Sequence, residues 1–227
     1  METEKNYIIA TIRPWNIENF QVYFAGKQNF FLVHRKEDLT PNIVHKINPR
    51  YIFFPHWSWI IPKEIWQHFE CVLFHMTNLP YGRGGSPLQN LIVRGKKTTS
   101  ISALQVDGGI DTGPIYFKRF LALTGSAEEI YKKMSRIIFT KMIPFIIQNK
   151  PTPFTQKGRV VEFTRRKPEE SNIKNSNSLK DLYDVIRMLD APEYPKAFLE
   201  TDKLRFEFSK VKKAAKKMVA SVEIYEK

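Results

Sequence analysis

The chain has 227 residues, 42% of them hydrophobic and 13% aromatic, which is enough to bury a sizeable core and excludes a disordered composition. Its net charge of +13 points either to an anionic partner (nucleic acid, a nucleotide-linked metabolite or a polyglutamylated cofactor) or to no more than solubility in a lysine-rich proteome. One cysteine excludes an internal disulfide, no apolar run is long enough to cross a bilayer, and the polar start Met1-Glu2-Thr3-Glu4-Lys5 is unlike a signal peptide, so the expected setting is the reducing cytoplasm, with no membrane partner.

The apolar run Tyr7 to Ile12 predicts a buried first strand, closed by the turn Arg13-Pro14-Trp15-Asn16. A helix is expected over Ile17 to Phe24 and a second strand over Phe30 to His34. Thr40 is placed to cap a short helix with Pro41 at its first position, where a missing N–H costs nothing. Tyr51 to Phe54 reads as a third strand, Pro62 to Phe69 as a helix, and Val72 to His75 as the next strand. Strands alternating with helices at this spacing imply a parallel sheet wound by crossovers, with ligands outside the carboxyl ends of its strands.

Ser86-Pro87 repeats the cap-plus-proline start, for a helix reaching about Arg94. Thr98 to Val106 and Ile115 to Leu121 read as strands flanking a long tip that carries Asp111. Ser126-x-x-Glu129 is a capping box opening the longest helix, whose core stripe is Ile130, Met134, Ile137, Ile138 and Met142; Pro144 should kink it. Beyond Pro151 come a strand over Arg159 to Phe163, a polar linker over Lys167 to Asn177, and a helix capped by Ser178 with Leu182, Tyr183, Ile186 and Leu189 inward. Leu204 to Phe208 and Val219 to Ile224 alternate as half-buried strands, and Lys212 to Lys217 reads as a solvated helix face. The expected division is a catalytic domain over 1–157 and a small C-terminal α+β subdomain over 158–227, packed on it.

The stretch from Cys71 to Pro114 concentrates the chemistry. His75 ends a strand at the sheet's carboxyl edge, where an imidazole can move a proton near neutral pH; the structural alternative is a histidine satisfied by a backbone carbonyl, and the neighbouring glycine loop and later acid favour the first. Asp111, between glycines, is either a turn residue bonding its own backbone or a partner that raises the basicity of His75; Asp107 ranks below it. The Tyr81-Gly82-Arg83-Gly84-Gly85 loop before a helix is a weak anion cradle or a plain turn, and matches no nucleotide fingerprint. No His, Cys, Asp or Glu cluster has metal spacing, and Cys71 reads as an inert core residue.

At these residues the chain resembles the 10-formyltetrahydrofolate-dependent formyltransferases. The family motif is Asn-x-His, a small hydroxyl residue two positions on, Leu-Pro, Arg-Gly and Pro, then Asp-x-Gly after a threonine-containing strand. His75, Thr77, Leu79-Pro80, Arg83-Gly84 and Pro87 match it, as do Thr98 or Thr99 and Asp111-Thr112-Gly113. Phe163 to Glu169, Ile186-Arg187 and Tyr194 to Phe198 resemble the segment leading into the family's C-terminal domain. The resemblance implies an α/β, Rossmann-like formyltransferase fold with a mostly parallel sheet flanked by helices, and 10-formyltetrahydrofolate as cosubstrate without a metal.

By that resemblance an amine attacks the formyl carbon, with His75 and Asp111 as the catalytic pair. Trp57, Ile61, Pro62, Leu79, Pro80, Asp107 and Gly113 would line the folate site, and Arg13, Trp15, Arg83 and Gly84 would meet the acceptor. The chain departs from the motif at the family asparagine, which falls on Leu73. Leucine cannot donate to an oxyanion, so Asn78, His56, Ser58 or Asn90 would fill in, with Asn78 preferred. Only about seventy residues follow the catalytic domain, which points to a nucleotide-linked amino sugar as acceptor. The alternatives are a methionyl-tRNA formyltransferase-like enzyme with a reduced C-terminal domain, and a binding module without catalysis. A homodimer stays open.

Overall fold

The computed structural model describes residues 5–227; the polar start Met1 to Glu4 lies outside the described residues. In chain order the elements are β1 (Asn6–Ala10), α1 (Pro14–Tyr23), β2 (Phe30–Val33), α2 (Pro41–Ile47), β3 (Pro49–Pro55), α3 (Lys63–Trp66), β4 (Cys71–His75), β5 (Tyr81–Gly84), α4 (Pro87–Val93), β6 (Thr98–Gln105), β7 (Ile115–Ala122), α5 (Ala127–Ile137), α6 (Ile143–Asn149), β8 (Val161–Phe163), α7 (Leu179–Arg187), β9 (Ala197–Glu200), β10 (Leu204–Lys213) and β11 (Met218–Glu226).

Contacts divide the chain into two compact units. The first holds residues up to Arg83, Thr99–Leu121 and Lys132–Glu162; the second holds Gly84–Thr98, Ala122–Tyr131 and Phe163–Lys227. A six-stranded sheet has the order β2-β1-β3-β4-β6-β7. β1, β2, β3 and β4 run parallel, and β6 joins β4 antiparallel. Gln105 N–H donates to Pro114 O at the foot of β7, so β6 and β7 close as the expected long-tipped hairpin. This is the mostly parallel, helix-flanked Rossmann-like fold, with the second unit carrying a separate small sheet, β11-β10-β9.

The central strands are apolar on both faces, as a sheet covered by helices requires. Ile8, Ile9, Ile52, Phe53, Phe54 and Val72 are wholly buried. On one face Ile8, Val33, Val44, Phe54 and Ile65 share a core, against which Trp57 packs. Elsewhere Phe24 stacks on Phe30 with ring centroids 4.3 Å apart.

Several local expectations hold. Thr40 Oγ1 accepts from Ile43 N–H at 3.3 Å. The capping box closes, with Ser126 N–H donating to Glu129 Oε2 and Glu129 N–H to Ser126 Oγ. Ser178 Oγ accepts from Asp181 N–H. Ile186 and Leu189 are buried, while Leu182 and Tyr183 are half-buried.

Others are corrected. α1 begins at Pro14, because Asn16 and Ile17 N–H already bond Arg13 O, so the supposed turn is helix. Ser86 does not cap α4; it sits at φ +48°, and its Oγ accepts from Arg166 N–H at 3.1 Å. Part of the glycine loop is the strand β5, paired with β8. At Pro144, by contrast, the long helix is interrupted in keeping with the expectation: a π-helical turn over Ile138–Met142 precedes α6, and the proline lies in the first turn of α6. Lys212 to Lys217 is no helix: it ends β10 and turns into β11, with Lys213 opposite Met218. β9 had no expectation. Among the described residues no helix is long and apolar enough to cross a membrane.

Candidate active site

β4 lies between β3 and β6 and ends at His75, so the sheet delivers the imidazole to the carboxyl edge of its parallel strands. Two hydroxyls from β6 hold the chain just beyond: Ser102 Oγ donates to Thr77 O at 2.7 Å and Thr99 Oγ1 to Met76 O at 3.3 Å. The Leu79-Pro80 peptide is cis. Past it the backbone returns, and Gly82 O accepts from both His75 Nε2 (2.8 Å) and Thr77 Oγ1 (3.1 Å). A carbonyl only accepts, so the ring proton on this side belongs to Nε2.

The other ring nitrogen, Nδ1, lies 3.4 Å from Asp111 Oδ1, with both side chains more than nine-tenths buried. The structure therefore brings together the two residues singled out in separate loops. Asp111 adopts φ +54°, an unusual conformation for a residue with a side chain. Gly113 nearby is forced to be glycine: a Cβ there would stand 1.7 Å from Gln105 O. Asp107 is exposed, and its Oδ1 is taken by Gly109 N–H and Thr112 Oγ1 in a local turn.

The remaining expected residues are distributed as follows. Leu73 is partly buried and packs against the core residues Leu79, Leu104 and Ile115, so the position of the family asparagine has an apolar setting. Asn78 is exposed in the loop after His75, and its Oδ1 accepts from Lys118 Nζ at 2.7 Å, which commits the amide oxygen and leaves the NH2 able to donate. Burial pulls the Lys118 pKa below its usual value, and its Nζ also holds Leu79 O. Asn90 is committed: its Nδ2 serves Gly85, Ser86 and Thr164 carbonyls and its Oδ1 takes Arg94. Ser58 is exposed.

Thr11 Oγ1 and Asn16 Nδ2 both donate to Pro55 O, which fixes the Arg13 turn against the end of β3. His56 follows there at φ +58°. Burial first, and the Arg13 cation second, push its pKa down to about 3, so the ring is neutral at pH 7. Trp15 is 3% exposed and belongs to the core, with its ring 5.7 Å from His56. Gly84 is explained by backbone: a Cβ would meet Phe163 O at 2.5 Å.

A cavity of about 320 Å³ in the first unit is lined by Lys36, Leu39, Thr40, Trp57, Trp59 and Pro62. Trp57 and Trp59 meet edge to face at 5.0 Å, and the Trp57 Nε1–H is buried with no hydrogen-bond partner. A flat heteroaromatic ring with an acceptor on its edge fits that combination. Ile61 is buried beside it. Within the second unit a cavity of about 510 Å³ is lined by Asn90, Arg94, Thr164, Arg165, Arg166 and Glu170. The Arg94 guanidinium carbon lies over the Phe163 ring, 4.6 Å from its centroid, and Arg166 Nε–H is buried without an acceptor. Among the described residues no three His, Cys, Asp or Glu groups could hold a metal ion.

Sequence reasoning missed Gln156 and Lys118. Gln156 Nε2 donates to Asp111 O and Gly113 O, both at 2.8 Å, while its Oε1 accepts from Arg83. Nothing local marks either residue, because each acts across a long sequence separation.

The chain matches the family model described as Formyl transferase over residues 24–139, and that described as Methionyl-tRNA formyltransferase, C-terminal domain, over residues 168–225. A methionyl-tRNA formyltransferase of Thermodesulfovibrio yellowstonii is 26% identical over 67% of this chain and 52% of its own length. The chain thus spans about half the length of that curated relative. A solved structure, the methionyl-tRNA formyltransferase from Clostridium thermocellum, is 53% identical with a TM-score of 0.96, over 99% of this chain and 100% of that one. A likely sugar N-formyltransferase from Mycobacterium tuberculosis shares the fold at TM-score 0.70 but only 15% identity, over 88% of this chain and 93% of that one.

These findings overturn the expectation of a nucleotide-linked amino sugar. It rested on the short tail, yet a chain of matching extent carries the methionyl-tRNA name, and the tail itself matches that C-terminal domain model. The match over 24–139, with His75 and Asp111 meeting inside it, places this chain in the formyl transferase family.

Proposed function

We propose that the chain transfers a formyl group from 10-formyltetrahydrofolate to the amine of methionyl-tRNA. The observation that carries this is the 53% identity, over essentially the whole chain, to a solved methionyl-tRNA formyltransferase. Residues 1–157 are assigned to formyl transfer and 158–227 to a small C-terminal subdomain; the family matches at 24–139 and 168–225 support that division. The single cysteine, Cys71, is buried, which suits the cytoplasm, where charged tRNA is found.

The cosubstrate, when bound, supplies a formyl carbon activated at N10. Trp57, Trp59, Ile61 and Pro62 are assigned to its ring, and the partnerless Trp57 Nε1–H supports this, since a ring acceptor would satisfy it. Leu79, Pro80, Asp107 and Gly113 border the catalytic loops and complete the assignment. As the amine adds to the formyl carbon, its nitrogen sheds a proton and negative charge grows on the formyl oxygen. His75 would take that proton at Nδ1 and return it to N10 as the formyl carbon–N10 bond breaks and tetrahydrofolate leaves, with Asp111 balancing the charge the imidazole gains. The Asn78 amide, oriented by Lys118, is assigned the oxyanion donor role that Leu73 cannot fill.

On the acceptor side, Arg94, Arg165 and Arg166 are assigned to tRNA phosphates, for which a planar guanidinium is well matched. Arg13 remains near the reacting end in this assignment. The net charge of +13 supports a polyanionic partner. Leu73 favours a second reading, folate and tRNA binding without turnover. One assay separates the two: purified protein with 10-formyltetrahydrofolate and charged initiator tRNA, read by mass of the released amino acid. Formylmethionine is expected; its absence alongside intact tRNA binding would leave only the second reading.

A further inference from the structure

Gln156 lies between α6 and β8, on a segment tied to the start of β7 by paired hydrogen bonds of Phe154 with Ile115. Both ends of its amide are saturated. Arg83 Nε (3.2 Å) and Nη2 (2.9 Å) donate to Oε1, and Nε2 donates to the carbonyls of Asp111 and Gly113, each at 2.8 Å. A guanidinium can only donate and a carbonyl can only accept, so the amide has one possible orientation. The two carbonyls it grips flank Thr112 and include that of Asp111, the residue at φ +54° whose carboxylate faces His75. A backbone in that region persists only where its surroundings hold it there.

We infer that Gln156 is a positioning residue for the His75–Asp111 pair, and that Arg83 acts on the pair by orienting the Gln156 amide. The side chain clamps the Asp111 loop from outside, so the carboxylate stays against Nδ1 without itself being part of the clamp. This reading of Arg83 differs from direct contact with the acceptor. Its consequence for turnover rests on the proposed formyl transfer; its consequence for the His75–Asp111 geometry does not.

Gln156→Glu is the informative variant. It keeps the size of the side chain and gives Arg83 an even better acceptor, but it replaces the donating NH2 by an oxygen facing two carbonyls. Gln156→Leu removes both ends, and Arg83→Lys keeps the charge but not the fork. For all three, kcat should fall about tenfold to a hundredfold with KM for both substrates nearly unchanged, the cost of a catalytic group displaced by about an ångström. The 15N signals of the His75 ring should move with the loss of the Asp111 contact, while cooperative thermal unfolding reports that the fold persists. Gln156→Glu with wild-type kcat and unmoved His75 signals would overturn the inference, as would a fall in kcat with those signals unmoved. If the wild-type protein transfers no formyl group, the functional reading fails, and the His75 ring signals alone decide the positioning role.

Discussion

The two units treat polar groups in opposite ways. In the first, the important ones are buried and few: His75, Asp111 and Thr77 each keep less than a tenth of their surface exposed, and their partners are fixed carbonyls and one carboxylate. In the second, charge is plentiful and spread out: Arg205 pairs with Glu200 and Glu207 on the small sheet, and Arg94, Arg165 and Arg166 surround an open cavity. Buried dipoles with fixed geometry suit bond-making, because little reorganises as charge develops. Exposed cations suit a large anion, since their attraction is long-ranged, weak per contact and screened by salt. On the proposed function, the contrast matches chemistry in the first unit and the grip on the acceptor in the second.

Substitutions should respect that contrast. The largest effect is expected at His75: His75→Ala should lower kcat for formyl transfer by about a hundredfold to ten-thousandfold with tRNA affinity retained, in single-turnover assays. Unchanged kcat would remove chemistry from the first unit. Next come Arg94→Ala and Arg166→Ala, each of which should weaken tRNA binding about tenfold and reduce the slope of log affinity against log salt by about one, with the rate at saturating tRNA preserved. A loss of rate with no change in salt slope would erase the distinction between the units.

Leu73→Asn tests the departure from the family motif. The new amide would enter the apolar cluster of Leu79, Leu104 and Ile115, so unfolding free energy should drop by about 1 to 3 kcal/mol in a denaturant titration. A faster enzyme of undiminished stability would show that Asn78 is not the substitute donor. A pH-dependent effect concerns His56. Its pKa is lowered from 6.5 to about 3 in the folded state, so the unfolded chain binds the extra proton first. That contribution to stability is full above pH 6.5 and is lost as pH falls toward 3; His56→Gln should flatten this part of the acid limb. The smallest effect is expected at Ile224, 58% exposed on β11, where Ile224→Thr should change stability by less than about 0.5 kcal/mol.

Much of the first unit was legible. The apolar runs that became β1 to β4 are short, rich in β-branched and aromatic residues, and separated by helix-length segments, so a parallel sheet follows from local pattern. The caps at Thr40, Ser126 and Ser178 are local too, each satisfied within three residues. Legibility ended where a residue's partner is distant in sequence. Ser86 has the residue type of a cap, but its hydroxyl answers Arg166, eighty residues on, and its backbone is left-handed where side-chain caps are typically extended. The glycine loop became β5 because β8 arrives to pair with it. The lysine-rich run 212–217 has helical composition, but pairing of β10 with β11 overrides that propensity.

By itself, the sequence determined the sheet's apolar strands, the placing of His75 at a strand end, the glycine-flanked Asp111 and the leucine at position 73, because each follows from residue type and short-range spacing. The tertiary structure decided that Nδ1 of His75 meets Asp111 at 3.4 Å, that Gln156 clamps the Asp111 loop, and that Asn90 is spent on backbone carbonyls while Asn78 keeps a free amide edge. Those are outcomes of chain closure over tens of residues, where hydrogen-bond partners are chosen by geometry and no local pattern records the choice.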